Sequence, residues 1–164
     1  MSMPYNPTSS SISPETRAII KRKTRKPGKP GKDYKLAEDL PSYLDLSGCE
    51  DLVDVSALGE VETLILEGCT GVVDVSSLGR VQTLFLTGCT GVVDVSSLGG
   101  VHHLDLEGCT GITDVSTLGC VHELDLSYCT GVTDVSALGG VRHLELTGCT
   151  GITDYSKVPQ AIRD

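Results

Sequence analysis

Residues 81–100 read VQTLFLTGCTGVVDVSSLGG, and closely similar units begin at Val61, Val101, Val121 and Val141 without a gap. An earlier, less regular unit carries Leu44, Leu46 and Cys49. The 164-residue chain therefore holds six copies of a 20-residue unit, V-x-x-L-x-L-x-x-C-x-G-[VI]-x-D-V-S-x-L-G-x. A fixed period of this length is the signature of stacked repeats. Within each unit, x-L-x-L-x alternates apolar and polar residues, the period of a strand with one buried face. The strands are expected around Leu44–Leu46, Leu64–Leu66, Leu84–Leu86, Leu104–Leu106, Leu124–Leu126 and Leu144–Leu146.

The segment between successive strands is too short for a long crossover helix and long enough for one turn of a coil. The strands should then stack in parallel, ~4.8 Å apart. Each coil should turn at Thr-Gly (Thr70-Gly71, Thr90-Gly91), with glycine accepting positive φ. On the return side, D-V-S-x-L-G predicts a short 3₁₀ turn capped by Asp or Ser and closed by Gly. In the 81–100 unit the inward residues are Val81, Leu84, Leu86, Cys89, Val92, Val95 and Leu98. One coil cannot bury such a set, whereas a stack can.

These residues carry a resemblance. V-x-x-L-x-L-x-x-C-x-x-[VI] resembles the conserved segment of leucine-rich repeats, with Cys where Asn often stands, over roughly residues 41–158. The Cys-bearing unit with Ile112-Thr113-Asp114 and Ile152-Thr153-Asp154 is similar to the longer repeats of F-box proteins, but a helical F-box has no room ahead of it. D-V-S-x-L resembles the internalin and SDS22-like class, again with a shorter unit. Short, nearly identical repeats are similar to those of protists and of large amoeba-infecting DNA viruses. The resemblance implies a solenoid of the α/β horseshoe class. Its six-stranded parallel sheet would line the concave face, with turns and short 3₁₀ segments on the convex side and little or no α-helix in the repeats. It also implies a binding scaffold without naming the ligand.

Composition agrees with a repeated aliphatic interior: one Phe, no Trp and two Met. Charge is asymmetric. Residues 1–35 hold nine Lys/Arg and two acids, a net of +7, and residues 36–164 hold four bases and 20 acids, a net of −16. This divides the chain into a basic N-terminal arm, 1–35, flexible or capping, and a repeat domain, 36–164, with short terminal caps. No apolar h-region follows the polar start MSMPYNPTSSS, and no apolar run reaches the ~20 residues of a membrane helix. The expectation is an intracellular protein of the cytoplasm or nucleus (of a host cell if the source is viral), with no membrane partner. Six of seven cysteines recur at a step of 20, a repeat pattern and not a disulfide framework. Cys49, Cys69, Cys89, Cys109, Cys129 and Cys149 read as a structural ladder of buried thiols donating weakly to a neighbouring carbonyl. A column of parallel side chains does not converge as a metal site requires. Cys120 lies outside the ladder, in a return loop.

The concave face carries the variable residues. One column reads Tyr43, Thr63, Thr83, His103, Glu123, His143; the next reads Asp45, Ile65, Phe85, Asp105, Asp125, Glu145; a third reads Ser47, Glu67, Thr87, Glu107, Ser127, Thr147. Ile65 and Phe85 are expected side by side and exposed, either as a binding hot spot or as a stacked pair that steadies the sheet. Around them Tyr43, His103, Asp105, Glu123, Asp125, His143 and Glu145 would complete a partner-binding face. Like charges ~4.8 Å apart should raise carboxylate pKa values. Such a patch suits a basic protein, a divalent cation, or no ligand beyond water. No nucleophile, base and orienter are placed together, so neither catalysis nor a cofactor is expected.

The basic arm is the second signal. Lys21–Lys32 reads KRKTRKPGKPGK, with Lys21, Arg22, Lys23, Arg25, Lys26, Lys29 and Lys32 as its charges. Ser13-Pro14-Glu15 before it starts a short helix, with Ser as N-cap. The run suits nucleic-acid association or nuclear targeting, without interleaved aromatics for base stacking. Alternatively it covers the first coil of its own chain or of a neighbour, giving a homo-oligomer by arm exchange. Leu36–Pro41 reads as a partial coil at that end and Val158–Ile162 as closure of the other. The leading expectation is a protein–protein interaction scaffold. Nucleic-acid association through the arm and structural self-assembly are its rivals.

Overall fold

The computed structural model describes residues 12–24 and 40–163. Six three-residue strands, β1 (Tyr43–Asp45), β2 (Thr63–Ile65), β3 (Thr83–Phe85), β4 (His103–Asp105), β5 (Glu123–Asp125) and β6 (His143–Glu145), form one parallel sheet in sequence order. Register advances by one 20-residue unit per strand, as in Leu64↔Leu84↔Leu104. We number the coils one to six with their strands. Every return segment of coils two to five carries a 3₁₀ turn: Ser76–Leu78, Ser96–Gly100, Ser116–Cys120 and Ser136–Gly140. In coils one and six the corresponding residues form plain turns.

The repeat creates this shape through its buried columns. Val81, Leu84, Leu86, Cys89, Val92, Val95 and Leu98 are all almost fully buried, and every other coil contributes its equivalents to the same continuous core. The thiols form a hydrogen-bonded ladder. From coil two onward each Sγ–H donates to a carbonyl of the preceding coil: Cys69 to Leu46 O at 3.2 Å, Cys89 to Leu66 O at 3.0 Å, Cys109 to Leu86 O at 3.2 Å, Cys129 to Leu106 O at 3.1 Å and Cys149 to Leu126 O at 2.9 Å. A cysteine here therefore fills apolar space and satisfies a buried acceptor with one small group.

The 3₁₀ turns are capped by Asp, one of the two residues expected: the carboxylate of Asp94 accepts the Ser96 N–H at 2.9 Å, while the flanking Val95 makes no side-chain cap. One local expectation changes, the reason for the glycines of Thr-Gly. Positive φ belongs to Gly48, Gly68, Gly88, Gly108 and Gly148, which precede the ladder cysteines. Gly71 and its equivalents are needed because the coils touch there: a Cβ on Gly71 would sit 2.5 Å from the Glu50 carbonyl oxygen.

Helix α1 (Pro14–Thr24) lies against the first coil. Ser13 Oγ accepts the Thr16 N–H at 3.2 Å as its N-cap. Ile12, Ile19 and Ile20 join the solenoid core, and the Thr16 hydroxyl donates to the Asp54 carbonyl at 2.6 Å. The helix runs through Lys21, Arg22 and Lys23, further than the sequence suggests. Cations in a last turn meet the negative end of the helix dipole, which favours this extension. Arg25, Lys26, Lys29, Lys32 and most of the partial coil at Leu36–Pro41 lie outside the described residues, although Leu40 packs on the core. At the other end Val158 and Ala161 are buried, and Ile162 bridges in parallel to Glu145.

Candidate interaction surface

The outward positions of the sheet follow directly from register. Tyr43, Thr63, Thr83, His103, Glu123 and His143 stand in one column, and Asp45, Ile65, Phe85, Asp105, Asp125 and Glu145 in the next. Ile65 and Phe85 are direct partners across β2 and β3. They are half-buried, not fully exposed as the sequence suggests, because neighbours on the sheet cover their flanks. Tyr43 is exposed.

Phe85 leads into the polar half of the face. Its ring lies 5.3 Å from the His103 ring, centre to centre. His103 Nδ1 stands 2.7 Å from Glu123 Oε2; since a carboxylate only accepts, that nitrogen carries the proton. The bond holds the Glu123 pKa below its ordinary value. Glu107 moves the other way, raised first by desolvation and then by the charges of Asp125, Asp105 and Glu145. Like-charge repulsion thus adds to desolvation at Glu107, whereas at Glu123 the His103 bond outweighs desolvation. His103, Asp105, Glu123, Asp125, His143 and Glu145 line a depression of about 130 Å³. That is below the roughly 300 Å³ where pockets for small organic ligands begin. Among the described residues no three His, Cys, Asp or Glu side chains are placed to hold a metal ion.

At the first coil, Arg22 makes a forked contact with Asp51 (Nη2–Oδ1 3.1 Å, Nη1–Oδ2 3.3 Å), and Lys23 Nζ donates to the Ser47 carbonyl. Burial pushes the thiols of Cys69, Cys89, Cys109, Cys129 and Cys149 up, Cys89 and Cys129 to about 12, so these five remain protonated donors. Cys120 is exposed.

Six parallel strands one coil apart, short 3₁₀ returns and one continuous aliphatic core are now in view. Solved structures share the arrangement. An internalin (inlF) from Listeria monocytogenes superposes with a TM-score of 0.55 at 17% identity, over 93% of this chain and 56% of that one. The fold is a leucine-rich-repeat solenoid. An internalin C2 (inlC2) from the same species gives 0.51 at 19% identity, over 74% of this chain and 60% of that one. The functional domain of InlJ from Listeria monocytogenes, described as including a cysteine ladder, gives 0.37 at 16% identity, over 95% and 45%. The chain therefore spans about half to three fifths of these proteins' lengths. No protein-family model and no curated protein sequence matches it.

The leucine-rich-repeat face also contains residues that alternation does not reveal. His102 and His122 stack with ring centres 4.5 Å apart and planes 18° apart, and His143 meets His122 edge-on at 6.2 Å. Desolvation, then the charges of His102 and Arg142, lower the His122 pKa. These two histidines sit one residue before the strands, outside the x-L-x-L-x pattern. Tyr128 is the second omission. It occupies the column of positive-φ glycines with φ 60°, and its ring lies over Gly148. Its signal was readable, since each other ladder cysteine is preceded by glycine.

Proposed function

We propose that this chain is a non-catalytic, protein-binding scaffold whose partner docks on the concave sheet face. Ile65 and Phe85 anchor it, with Tyr43, His103, Asp105, Glu123, Asp125, His143 and Glu145 around them. The carrying observation is continuity: the Ile65–Phe85 pair runs through the Phe85–His103 ring contact into the His103–Glu123 bond. An apolar anchor with a polar rim is the anatomy of a protein interface. The shallow, open relief of the face suits a macromolecule better than a small substrate. The leucine-rich-repeat fold of the internalins is consistent with this reading. An intracellular setting, cytoplasm or nucleus, belongs to the same proposal, because ladder thiols that donate hydrogen bonds must stay reduced.

The basic arm offers the rival reading. Lys21, Arg22 and Lys23 belong to α1, and the last two are engaged by coil one, so nucleic-acid association would rest chiefly on Arg25, Lys26, Lys29 and Lys32. Deleting the whole arm would remove the core residues Ile19 and Ile20 and confuse binding with folding. The clean test captures partners on immobilised full-length protein and compares Phe85→Ala with a variant in which those four bases are Gln. We expect the Gln variant to retain the partner and Phe85→Ala to weaken it at least about ten-fold, a hot-spot loss. Capture that survives Phe85→Ala but needs the four bases would assign the binding to the arm.

A further inference from the structure

Among the described residues, three of the six exposed large apolar side chains lie in one row on the return side. Val53, Val73 and Val93 are 65%, 59% and 56% exposed, and each follows a buried residue of the core. Single exposed valines need no explanation, but three in register one coil apart form a strip. Between Val73 and Val93 runs a groove of about 280 Å³, walled also by Val75, Asp74, Asp94 and Ser97. A second groove, of about 270 Å³, continues the strip past Val53. Its far wall is α1, through Ser13, Thr16 and Ile19.

A column of exposed carboxylates borders the valines: Asp54, Asp74 and Asp94. Each is fixed in direction by the serine two residues on, whose N–H it accepts at 3.0, 2.9 and 2.9 Å. The strip is therefore aliphatic along one line and anionic along the next. The chain already seats a segment of complementary chemistry at its start. Helix α1 places aliphatic Ile19 beside Val53, donates from Thr16 to the Asp54 carbonyl, and pairs Arg22 with Asp51.

We propose that the Val53–Val73–Val93 strip is a second docking surface, separate from the sheet face, for a cationic segment of a partner protein bearing aliphatic side chains. Charge selects this occupant. A phosphate backbone or an anionic lipid surface would meet the aspartate column with like charge. The repeat region of a second copy would bring net −16 against the first, and only its +7 arm would match, an occupant that the dimer outcome below distinguishes. A Lys/Arg segment is attracted by the same field, and its aliphatic side chains fill the grooves. The strip ends at coil three: coils four to six hold Thr113, Thr133 and Thr153 at this position.

That ending supplies the test. Thr is the residue coils four to six carry here, so Val73→Thr/Val93→Thr keeps the fold, which far-UV circular dichroism checks. The probe is a fluorescein-labelled peptide of Leu and Lys, titrated with the full chain and followed by anisotropy. The wild type should bind it, more weakly as salt rises. Val73→Thr/Val93→Thr should bind about ten-fold more weakly, roughly 1.4 kcal/mol. Asp74→Asn/Asp94→Asn should weaken binding and flatten its salt dependence. Phe85→Ala should bind like the wild type, so failure of the sheet-face reading and failure of this one are separable. Binding indifferent to the Val73→Thr/Val93→Thr change, or abolished by Phe85→Ala, would overturn the proposal. So would a concentration-dependent dimer that the double Thr variant dissolves, since the occupant would then be a second copy.

Discussion

After the buried Leu52, Val72 and Val92, coils one to three expose Val53, Val73 and Val93; after Ile112, Val132 and Ile152, coils four to six expose Thr113, Thr133 and Thr153. The sheet face divides at nearly the same place, with Ile65 and Phe85 before it and His103, Asp105, Glu123, Asp125, His143 and Glu145 after it. Inside, coils two to five are interchangeable: the same aliphatic and Cys columns run through them with matching burial, and coil six departs only with a partly buried Tyr155 in place of Val. Stability therefore resides in the inner columns, and the recognition proposed above would reside in the outer ones. Changes inside should cost stability alike in both halves, and changes outside should act on one half only.

The largest effect tests the shared interior. Leu84→Ala in coil three and Leu124→Ala in coil five should each lower stability by about 2–5 kcal/mol in chemical denaturation, because each empties a fully packed site. The costs should agree within about 1 kcal/mol. A much cheaper Leu124→Ala would break the equivalence. Next comes the end: Ile20→Ala should cost about 2–3 kcal/mol. Hydrogen exchange should then quicken in coil one before it does in coil six, because the helix covers only the first coil. The third effect has the opposite sign. Tyr128→Gly should raise stability by about 1 kcal/mol, since a non-glycine residue in the left-handed region is strained and the exposed ring offsets little of that. Stabilisation by Tyr128→Ala as well would show that the ring and not the backbone is at fault.

The smallest effect is in pH. Asp74, Asp94, Asp114 and Asp134 all have lowered pKa values from the serines two residues on, and Glu123 has one from His103. A depressed carboxylate pKa means stability present above the unfolded value and lost as pH falls through the folded one. On acidification the unfolding midpoint should therefore decline, the His122 share below 6.5, the Glu123 share below 4.5 and the aspartate share below 3.8. A midpoint that rises on acidification would contradict the sign. Replacing His103 with Gln should remove the Glu123 share alone.

The core was legible in the sequence because a 20-residue period allows one register only, and register places Ile65 beside Phe85 and His103 beside Glu123. Legibility ended where neighbouring coils touch. The reason for Gly71 lies in the Glu50 carbonyl of the coil before it, not in its own turn. The His102–His122 stack lies one residue outside the strand alternation, so the pattern passed over it. Phe85 is half-buried with the His103 ring 5.3 Å from its own, a contact whose geometry spacing does not determine. The valine row is written plainly in the repeats but lies on the return side, away from the strand alternation that marks the sheet face.

Hydroxyl-radical footprinting of the chain, free and bound to its captured partner, tests the sheet-face account residue by residue. Oxidation of Ile65, Phe85 and His103 should fall on binding, while Thr113 and Thr133 on the return side stay unchanged. Unaltered oxidation of Phe85 and Ile65 in a saturated complex would contradict it.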